Sequence, residues 1–312
     1  MLRLTCHITI ADFVFKSIVE FESESSWENM TDTAKITLPR KLNWKGKKIY
    51  ELLKIGDKVN VQLGYDDNNV EVFQGYITKI SAKIPVEFEL EDAGWLLKQS
   101  SITKSYKEIE LHQLLKEILP VSLSFEAPTV TLGQFRISKA TAAQVLDELK
   151  SSYFLHSWFR AGTLYVGFAY VAKLQKVHKL FFDKNIIDND LDYVSEDQVK
   201  IKLTIVNIKK DNSKKEYEFG EKDGEERTLH YFDMSEADIK KLGQSEIKRL
   251  KYTGYRGSFT TFGVPVVNHG DVVALSDPEY PERDGSYLVK SVSTSFGSGG
   301  YRQSITLDTK VA

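Results

Sequence analysis

The sequence predicts a mainly β protein in which two similar antiparallel β-barrels flank a small α+β module. Apolar and polar residues alternate along many short segments at both ends of the chain, as in half-buried antiparallel strands. Two segments with helical periodicity lie between these ends. A Gly-Asp dipeptide opens an alternating segment in each β-rich part, at Gly56-Asp57 and at Gly270-Asp271. Together these observations predict a duplicated β domain with a different module between the copies.

The first barrel is predicted over residues 1–100. In the segment DKVNVQL, Val59, Val61 and Leu63 alternate with polar residues, so one face of this strand is expected to be buried. The turn at Gly64 separates this strand from the next. The region holds about six strand candidates, which is typical of a small barrel or sandwich.

The α+β module is predicted over residues 101–175. The segment KEIELHQLLKEIL places its leucines and isoleucines on one helical face, and Pro120 ends this helix. Thr141 is expected to cap a second helix. A hairpin that turns at Ala161-Gly162 follows it.

The second barrel is predicted over residues 176–312, with a charged and helical insertion at about 209–252. The segment VKIKLTIVNIKK is a strand candidate. The charged residues at 209–226 predict a solvated hairpin tip or a mobile loop. Ser235 is expected to begin a helix with a weak apolar face.

The two β-rich parts share a series of features in the same order. Each has a Gly-Asp turn, a glycine before an aromatic-led strand, and a last strand that ends in an acid. These features are Gly56-Asp57, Gly75 and Asp92 in the first part, and Gly270-Asp271, Gly285 and Asp308 in the second. Favourable turn chemistry explains either copy alone, whereas the common order favours a duplicated barrel.

Composition limits the classes of function. The 312 residues favour two or three domains. The formal charge of −2 gives the chain no overall attraction to nucleic acid or to anionic membrane. The single cysteine, Cys6, excludes an internal disulfide and is expected to be a small core residue. A signal peptide and a membrane span are not expected, so the chain is predicted to be a soluble protein made in the cytoplasm.

No catalytic, cofactor-binding or metal site is predicted. The GSGG segment at 297–300 lies between two strand candidates and lacks the helix that a phosphate-binding loop requires. The segment 188–199 fails as a calcium loop, because Tyr193 and Val199 occupy the positions of the required Gly and Glu. The six histidines are scattered without metal-ligand spacing.

A basic segment, RKLNWKGKK, joins two strands of the first barrel. It is predicted to be either an ordinary solvated loop or an arm that contacts a neighbouring subunit, and less favourably a nucleic-acid site. The residues of this candidate contact loop are Arg40, Lys41, Trp44, Lys45, Lys47 and Lys48.

Long parts of the sequence resemble the baseplate hub proteins of contractile tails, the Mu-type tail hub and late control protein D group, which is related to the N-terminal half of VgrG spike proteins. DTAKITLPR, IYELLKIGDKVNVQLGYDD, VFQGYITKI and FELEDAGWLLK are similar to the first barrel of that family. YRGSFTTFGVPVVNHGDVVAL and GSYLVKSVSTSFGSGGYRQSITLD are similar to its second barrel. The resemblance spans nearly the whole chain in the correct order, although each motif alone is loose.

The resemblance implies a non-enzymatic structural hub. Three subunits with two similar barrels each would form a ring of pseudo-sixfold symmetry that joins a hexameric tail tube to a trimeric spike. The barrel landmarks it implies are scaffold residues: Gly56, Asp57, Gly75, Tyr76, Asp92, Trp95, Gly270, Asp271, Gly285, Tyr287, Tyr301 and Arg302.

The implied partners are a second and third copy of the chain, the tail tube protein, a separate spike protein and other baseplate proteins. No cofactor, sequence-specific nucleic acid or membrane is expected. The implied location is the bacterial host cytoplasm during assembly, and then the virion tail or an injection particle. Phage, tailocin and injection system stay open, as do two other classes: a carbohydrate- or peptidoglycan-binding β-module and an unrecognised enzyme.

Overall fold

The computed structural model describes residues 2–39, 43–44, 47–81, 84–167, 175–209, 211 and 213–311. Over these residues the chain is mainly β with four α-helices, so the predicted fold class is confirmed.

The first unit is a barrel that residues 13–26 close, because this segment pairs with a different strand at each of its ends. Its elements are β1 (Leu4–Ile10), β2 (Phe13–Phe15), β3 (Glu20–Ser26), β4 (Thr33–Leu38), the hairpin of β5 (Asn43–Trp44) and β6 (Lys47–Lys48), helix α1 (Ile49–Leu52), β7 (Lys58–Tyr65), β8 (Asn68–Ser81) and β9 (Val86–Glu91). The strands pair in the order β3-β4-β9-β8-β7-β1-β2. Because β2 and β3 follow each other directly, residues 13–26 pair with β1 at one end and with β4 at the other. Alternate residues of these strands, such as Ile36, Val61 and Phe88, fill the barrel core.

The second unit packs two helices against short strands. After a 3₁₀ helix at Ala93–Lys98 come β10 (Ser101–Tyr106), β11 (Ile109–Glu110), α2 (Leu111–Ile118), β12 (Ser124–Glu126), β13 (Thr131–Leu132), β14 (Phe135–Thr141), α3 (Ala142–Tyr153), β15 (His156–Arg160) and β16 (Thr163–Gly167). Helix α3 begins with a capping box, in which Gln144 N donates to Thr141 Oγ1 at 3.2 Å and Thr141 N donates to Gln144 Oε1 at 2.8 Å. The predicted cap at Thr141 is therefore confirmed.

The third unit is a second barrel that contains an insertion. Its elements are β17 (Val177–Phe181), β18 (Ile186–Val194), β19 (Ile201–Ile208), β20 (Lys214–Gly220), β21 (Glu225–Phe232), α4 (Glu236–Leu250), β22 (Gly254–Phe262), β23 (Val272–Ser276), β24 (Gly285–Gly297) and β25 (Gly300–Val311). The barrel strands pair in the order β18-β22-β25-β24-β23-β17, and the turn from β17 to β18 closes the ring.

The charged stretch differs from its prediction. It forms β20 and the start of β21 in a separate sheet of order β20-β19-β21, which packs against α4. In β20, Tyr217 and Phe219 alternate with charged residues and pack against the core of the insertion. Strand β19 is the centre of this sheet and not a barrel strand, because Ile201, Leu203 and Ile205 all contribute to that same core.

The two barrels are joined edge to edge. The later part of β24 pairs antiparallel with β3, from Ser291 opposite Ser26 to Phe296 opposite Phe21. This pairing makes one continuous sheet that runs through both barrels.

Candidate assembly site

The Gly-Asp turn of the first barrel is fixed by backbone hydrogen bonds to β8. Gly56 N donates to Ile77 O at 2.8 Å, and Ile77 N donates to Asp57 O at 3.0 Å. The Asp57 carboxylate accepts a hydrogen bond from Lys54 N at 2.8 Å. Gly56 has a φ of +90°, a conformation that residues with a Cβ rarely adopt.

The Gly-Asp turn of the second barrel makes the same set of hydrogen bonds to β24. Gly270 N donates to Val289 O at 2.7 Å, and Val289 N donates to Asp271 O at 2.9 Å. The Asp271 carboxylate accepts from Asn268 N at 3.1 Å, and Gly270 has a φ of +74°. The two turns are therefore equivalent in their backbone geometry and in their cap.

The strands beyond these turns are also equivalent. The order β3-β4-β9-β8-β7 in the first barrel corresponds to β18-β22-β25-β24-β23 in the second. The pairing of β8 with β9 and the pairing of β24 with β25 each contain a one-residue register shift. In both barrels the shift comes directly after the residue that is hydrogen-bonded to the Gly-Asp turn, Ile77 or Val289. The matching pairs are Ile77 with Leu90 and Lys79 with Glu89 in the first barrel, and Val289 with Leu307 and Ser291 with Thr306 in the second.

This register changes how the sequence landmarks correspond. Gly75, two residues before Ile77, matches Tyr287 and not Gly285. Asp92, two residues after Leu90, matches Thr309 and not Asp308. The turns that connect the strands differ in length between the barrels, and this displaces residues that look aligned in the sequence.

Several landmarks of the first barrel lie together around Trp95. Its ring stacks on Tyr76 with the centroids 5.1 Å apart. A Cβ added to Gly56 would lie 2.9 Å from Trp95 Cη2, so the indole packs directly onto the Gly-Asp turn.

The landmarks of the second barrel divide into two groups. Gly285 lies beside the Tyr287 hydroxyl, which accepts a hydrogen bond from Tyr255 N at 2.9 Å. Burial raises the pKa of Tyr287 to about 12. Tyr301 is fully buried and belongs to the core of the first barrel, where its ring contacts Phe296. Arg302 Nη1 donates to Tyr301 O at 2.9 Å, so this group lies at the seam between the barrels.

Asp271 also ties the module to the second barrel. Its fully buried carboxylate lies 2.5 Å from Arg160 Nη2, on the module hairpin, and 3.1 Å from His178 Nε2. Burial opposes ionisation of Asp271, but hydrogen bonds from His178, Asn268 N and Lys176 N, together with the Arg160 charge, lower its pKa overall. A buried carboxylate with these partners stays ionised at neutral pH.

A cavity of about 580 Å³ lies where the three units meet. Asp32 and Asp92 line its first-barrel side, and Arg160, Lys176 and His269 line the opposite side. Burial raises the pKa of both aspartates, and the charge of Asp32 raises that of Asp92 further. Asp92 Oδ1 accepts from Gly94 N at 2.8 Å, so this carboxylate caps the 3₁₀ helix that leads into the module.

A polar surface runs across the joined sheet from β18 to β8. Residues opposite one another on successive strands form unbroken rows on this surface. One such row is Asp188, Thr260, Ser304, Ser293, Glu24, Thr33, Glu91 and Tyr76. We call this surface the eight-strand face. Its centre carries serine and threonine, and carboxylates alternate along three of its strands.

The carboxylates of the eight-strand face are Glu20, Glu22 and Glu24 on β3, Glu87, Glu89 and Glu91 on β9, and Asp188, Asp190 and Asp192 on β18. Lys35 lies 3.0 Å from Glu22, and Lys79 lies 2.6 Å from Glu89. Lys98 also pairs with Glu91 at 2.6 Å, and Arg256 and Arg302 lie in the same rows, opposite Asp192 and Ser295. These five basic side chains compensate only part of the charge of the nine carboxylates, so the face is acidic.

Sequence reasoning missed this face and the Arg160–Asp271 pair. The alternating acids of EFESE and DNDLD were visible in the chain, at Glu20, Glu22 and Glu24 and at Asp188, Asp190 and Asp192. The sequence pattern that could have predicted the face is the alternation of acids on β3 and β18, which are equivalent strands of the two barrels. No local pattern indicated the ion pair, because its partners are 111 residues apart.

The candidate contact loop lies largely outside the described residues. Arg40, Lys41 and Lys45 are among the residues not described, and the side chain of Trp44 is likewise outside the description. Lys47 and Lys48 form β6 and are exposed.

Within the described ranges, no group of three or more His, Cys, Asp or Glu side chains is arranged to hold a metal ion. No α-helix in the described part of the chain is long and apolar enough to cross a membrane.

No protein-family model matches the chain, and no curated protein matches it. Solved structures, in contrast, match nearly its whole length. A tail protein from Neisseria meningitidis MC58 is 16% identical, with a TM-score of 0.64, and the match covers 99% of this chain and 96% of that one. The fold is that of phage tail proteins.

Two further structures agree. The 43 kDa tail protein of prophage MuSo2 from Shewanella oneidensis is 17% identical, with a TM-score of 0.62 and 97% of each chain covered. A type VI secretion component from Escherichia coli, itself described as similar to the bacteriophage T4 tail proteins gp27 and gp5, is 10% identical with a TM-score of 0.57; the match covers 99% of this chain and 76% of that one. The fold expected from the resemblance to tail hub and VgrG-type proteins is confirmed.

Proposed function

We propose that this chain is a structural hub subunit of a contractile phage tail or a phage-like injection system. Three copies form a ring that joins a sixfold tail tube to a threefold spike. The observation that carries this proposal is the equivalence of the two barrels, which share strand order, register shift and Gly-Asp hydrogen bonds.

The equivalence of the barrels supports a role in matching symmetries. A chain with two equivalent barrels presents two similar outer surfaces, and a ring of three chains presents six. Such a ring is threefold where it meets a trimeric spike and nearly sixfold where it meets a tube. Closed cyclic symmetry requires a head-to-tail contact, so the first barrel of one copy meets the second barrel of the next.

The partners in this proposal are two further copies, the tail tube protein, a separate spike protein and other baseplate proteins. The ring assembles in the bacterial host cytoplasm and then becomes part of the tail or injection particle. The role is structural and not catalytic, and the fold shared with tail proteins supports this. The chain then divides into a first barrel to about residue 100, a module to about 175, and a second barrel with its insertion.

Within this ring, the landmarks Gly56, Asp57, Gly270 and Asp271 act as scaffold, and the basic segment at 40–48 contacts a neighbouring subunit. The eight-strand face lines the central channel. Its acidic rows repel the phosphates of passing DNA, whereas a basic wall would bind them through counterion release. Salt-sensitive binding of the purified protein to duplex DNA at physiological ionic strength would contradict this assignment.

Negative-stain electron microscopy of the purified full chain tests the proposal. We expect three-lobed rings with a central hole at high protein concentration. Compact particles without a hole at every concentration, together with turnover of peptidoglycan by the same preparation, would favour an enzyme or a wall-binding module instead.

A further inference from the structure

The two barrels of one chain are joined by the pairing of β24 with β3, and the equivalent two strands, β8 and β18, are not paired with each other. Within the chain, the Ser291–Phe296 part of β24 pairs with β3, while the same residues pair with β25 on their other side. The equivalent of β24 is β8, and the equivalent of β3 is β18. A contact between β8 and β18 would therefore repeat the internal seam.

Both of these strands have a free edge in the described part of the chain. From Lys79 to Ser81, β8 pairs with β9 alone. Strand β18 pairs with β22 alone and ends the sheet. An exposed strand edge presents unpaired backbone N–H and C=O groups, which favours pairing with another strand. Within one copy these edges lie at opposite ends of the eight-strand row, so only a second copy can join them.

The registers define which residues would meet. Counting from the shared register shift, Ser81 is equivalent to Ser293, which lies opposite Glu24 in the internal seam. Glu89 and Thr306 are equivalent, and the rows through them lead across β4 to Glu22 and across β22 to Asp190. Two residues further along β3 and β18, Glu24 is therefore equivalent to Asp192. Ser81 of one copy would then lie opposite Asp192 of another.

We propose that β8 of one copy pairs antiparallel with β18 of the next copy, with Ser81 opposite Asp192, so that the eight-strand face continues from subunit to subunit. This inference rests on the proposed ring and adds the strands and register that close it. The charges agree, because Lys79 becomes a diagonal neighbour of Asp192 across the new pair, within reach of a long side chain. The contact is head-to-tail, as a closed ring requires.

Cysteine cross-linking of the full chain tests this register. Directly opposed residues of an antiparallel pair have Cα atoms about 4.5–5.5 Å apart, which suits a disulfide. The test variant is S81C/D192C. Cys6 is buried and does not compete. On mild oxidation of concentrated protein, we expect covalent dimers and trimers on a non-reducing gel.

Three matched controls accompany this variant. S293C/E24C should form a disulfide within one chain and leave the mass unchanged, which verifies the oxidation and the internal template. S81C/D188C moves one partner four residues along β18, about 13 Å away, and should not cross-link. Each single variant should give at most a dimer.

The outcomes separate this inference from the proposed function. Trimers seen by light scattering that do not cross-link through S81C/D192C would overturn the register but leave the ring intact. Monomers at every concentration without any cross-link would overturn both. Equal cross-linking of S81C/D192C and S81C/D188C would show non-specific encounter and would also overturn the register.

Discussion

At the scale of single residues, two equivalent aspartates have different surroundings. Asp57 is partly exposed and caps its own turn through Lys54 N. Asp271 makes the equivalent cap, but it is fully buried and also binds Arg160 and His178. The Asp57 turn therefore stabilises the first barrel alone, whereas the Asp271 turn stabilises the second barrel and also connects it to the module.

Replacing each aspartate by asparagine should separate these roles. D271N leaves the Arg160 guanidinium buried beside a neutral partner, so we expect the free energy of unfolding to fall by about 3–5 kcal/mol. D57N keeps an acceptor for Lys54 N and should cost less than about 1 kcal/mol. Urea unfolding measures both; equal losses would contradict the assigned role of Asp271.

Tyr301 offers a second test at this scale. Its hydroxyl is buried and has no hydrogen-bond partner in the described part of the chain, while its ring fills the seam between the barrels. Y301F removes only an unsatisfied group and should leave the free energy of unfolding unchanged or raised. Y301A should lower it by about 3–5 kcal/mol. A large loss in Y301F would mean that the hydroxyl is hydrogen-bonded.

The buried aspartates predict a pH dependence of defined sign. Burial raises the pKa of Asp32 and Asp92 in the folded state, so these two sites bind more protons in the folded protein than in the unfolded chain. Their stabilising contribution is therefore present at acid pH and is lost as the pH rises from about 4 into the neutral range. D92N should flatten this part of the stability profile relative to the wild type. A steeper profile in D92N would contradict the sign.

At the scale of elements, the insertion shows how a glycine sets a packing distance. A Cβ on Gly243 of α4 would lie 2.5 Å from the Phe219 ring of β20. Helix propensity alone predicts that G243A stabilises α4 by about 1 kcal/mol. We expect the reverse, a lower melting temperature, because the helix would have to move away from the sheet. The exposed neighbour gives the control, since Q244A should leave the melting temperature nearly unchanged. A higher melting temperature in G243A would mean that the contact is looser.

The elements that the sequence predicted well are those with a strong local pattern. The alternation in DKVNVQL predicted β7, and the Thr141 cap predicted the start of α3. The charged stretch at 209–226 was harder, because its few apolar residues, Tyr217 and Phe219, become informative only when α4 is known to pack on them. Pairing between distant segments, such as β3 with β24, leaves no local pattern at all.

At the scale of the whole molecule, one sheet unites the two barrels and continues the same polar surface across them. The seam between β3 and β24 makes the two equivalent barrels neighbours in a fixed orientation. The free edges of β8 and β18 lie at the two ends of the eight-strand face. The chain is therefore one third of the closed ring that we propose.

Light scattering of the purified full chain over a range of concentrations tests whether three copies close a ring. We expect the mass to rise to three times the 35.6 kDa of one chain and then to stay constant, because a closed ring has no free edge left to add a fourth copy. A mass that remains at one chain, stops at two, or keeps increasing with concentration would contradict it.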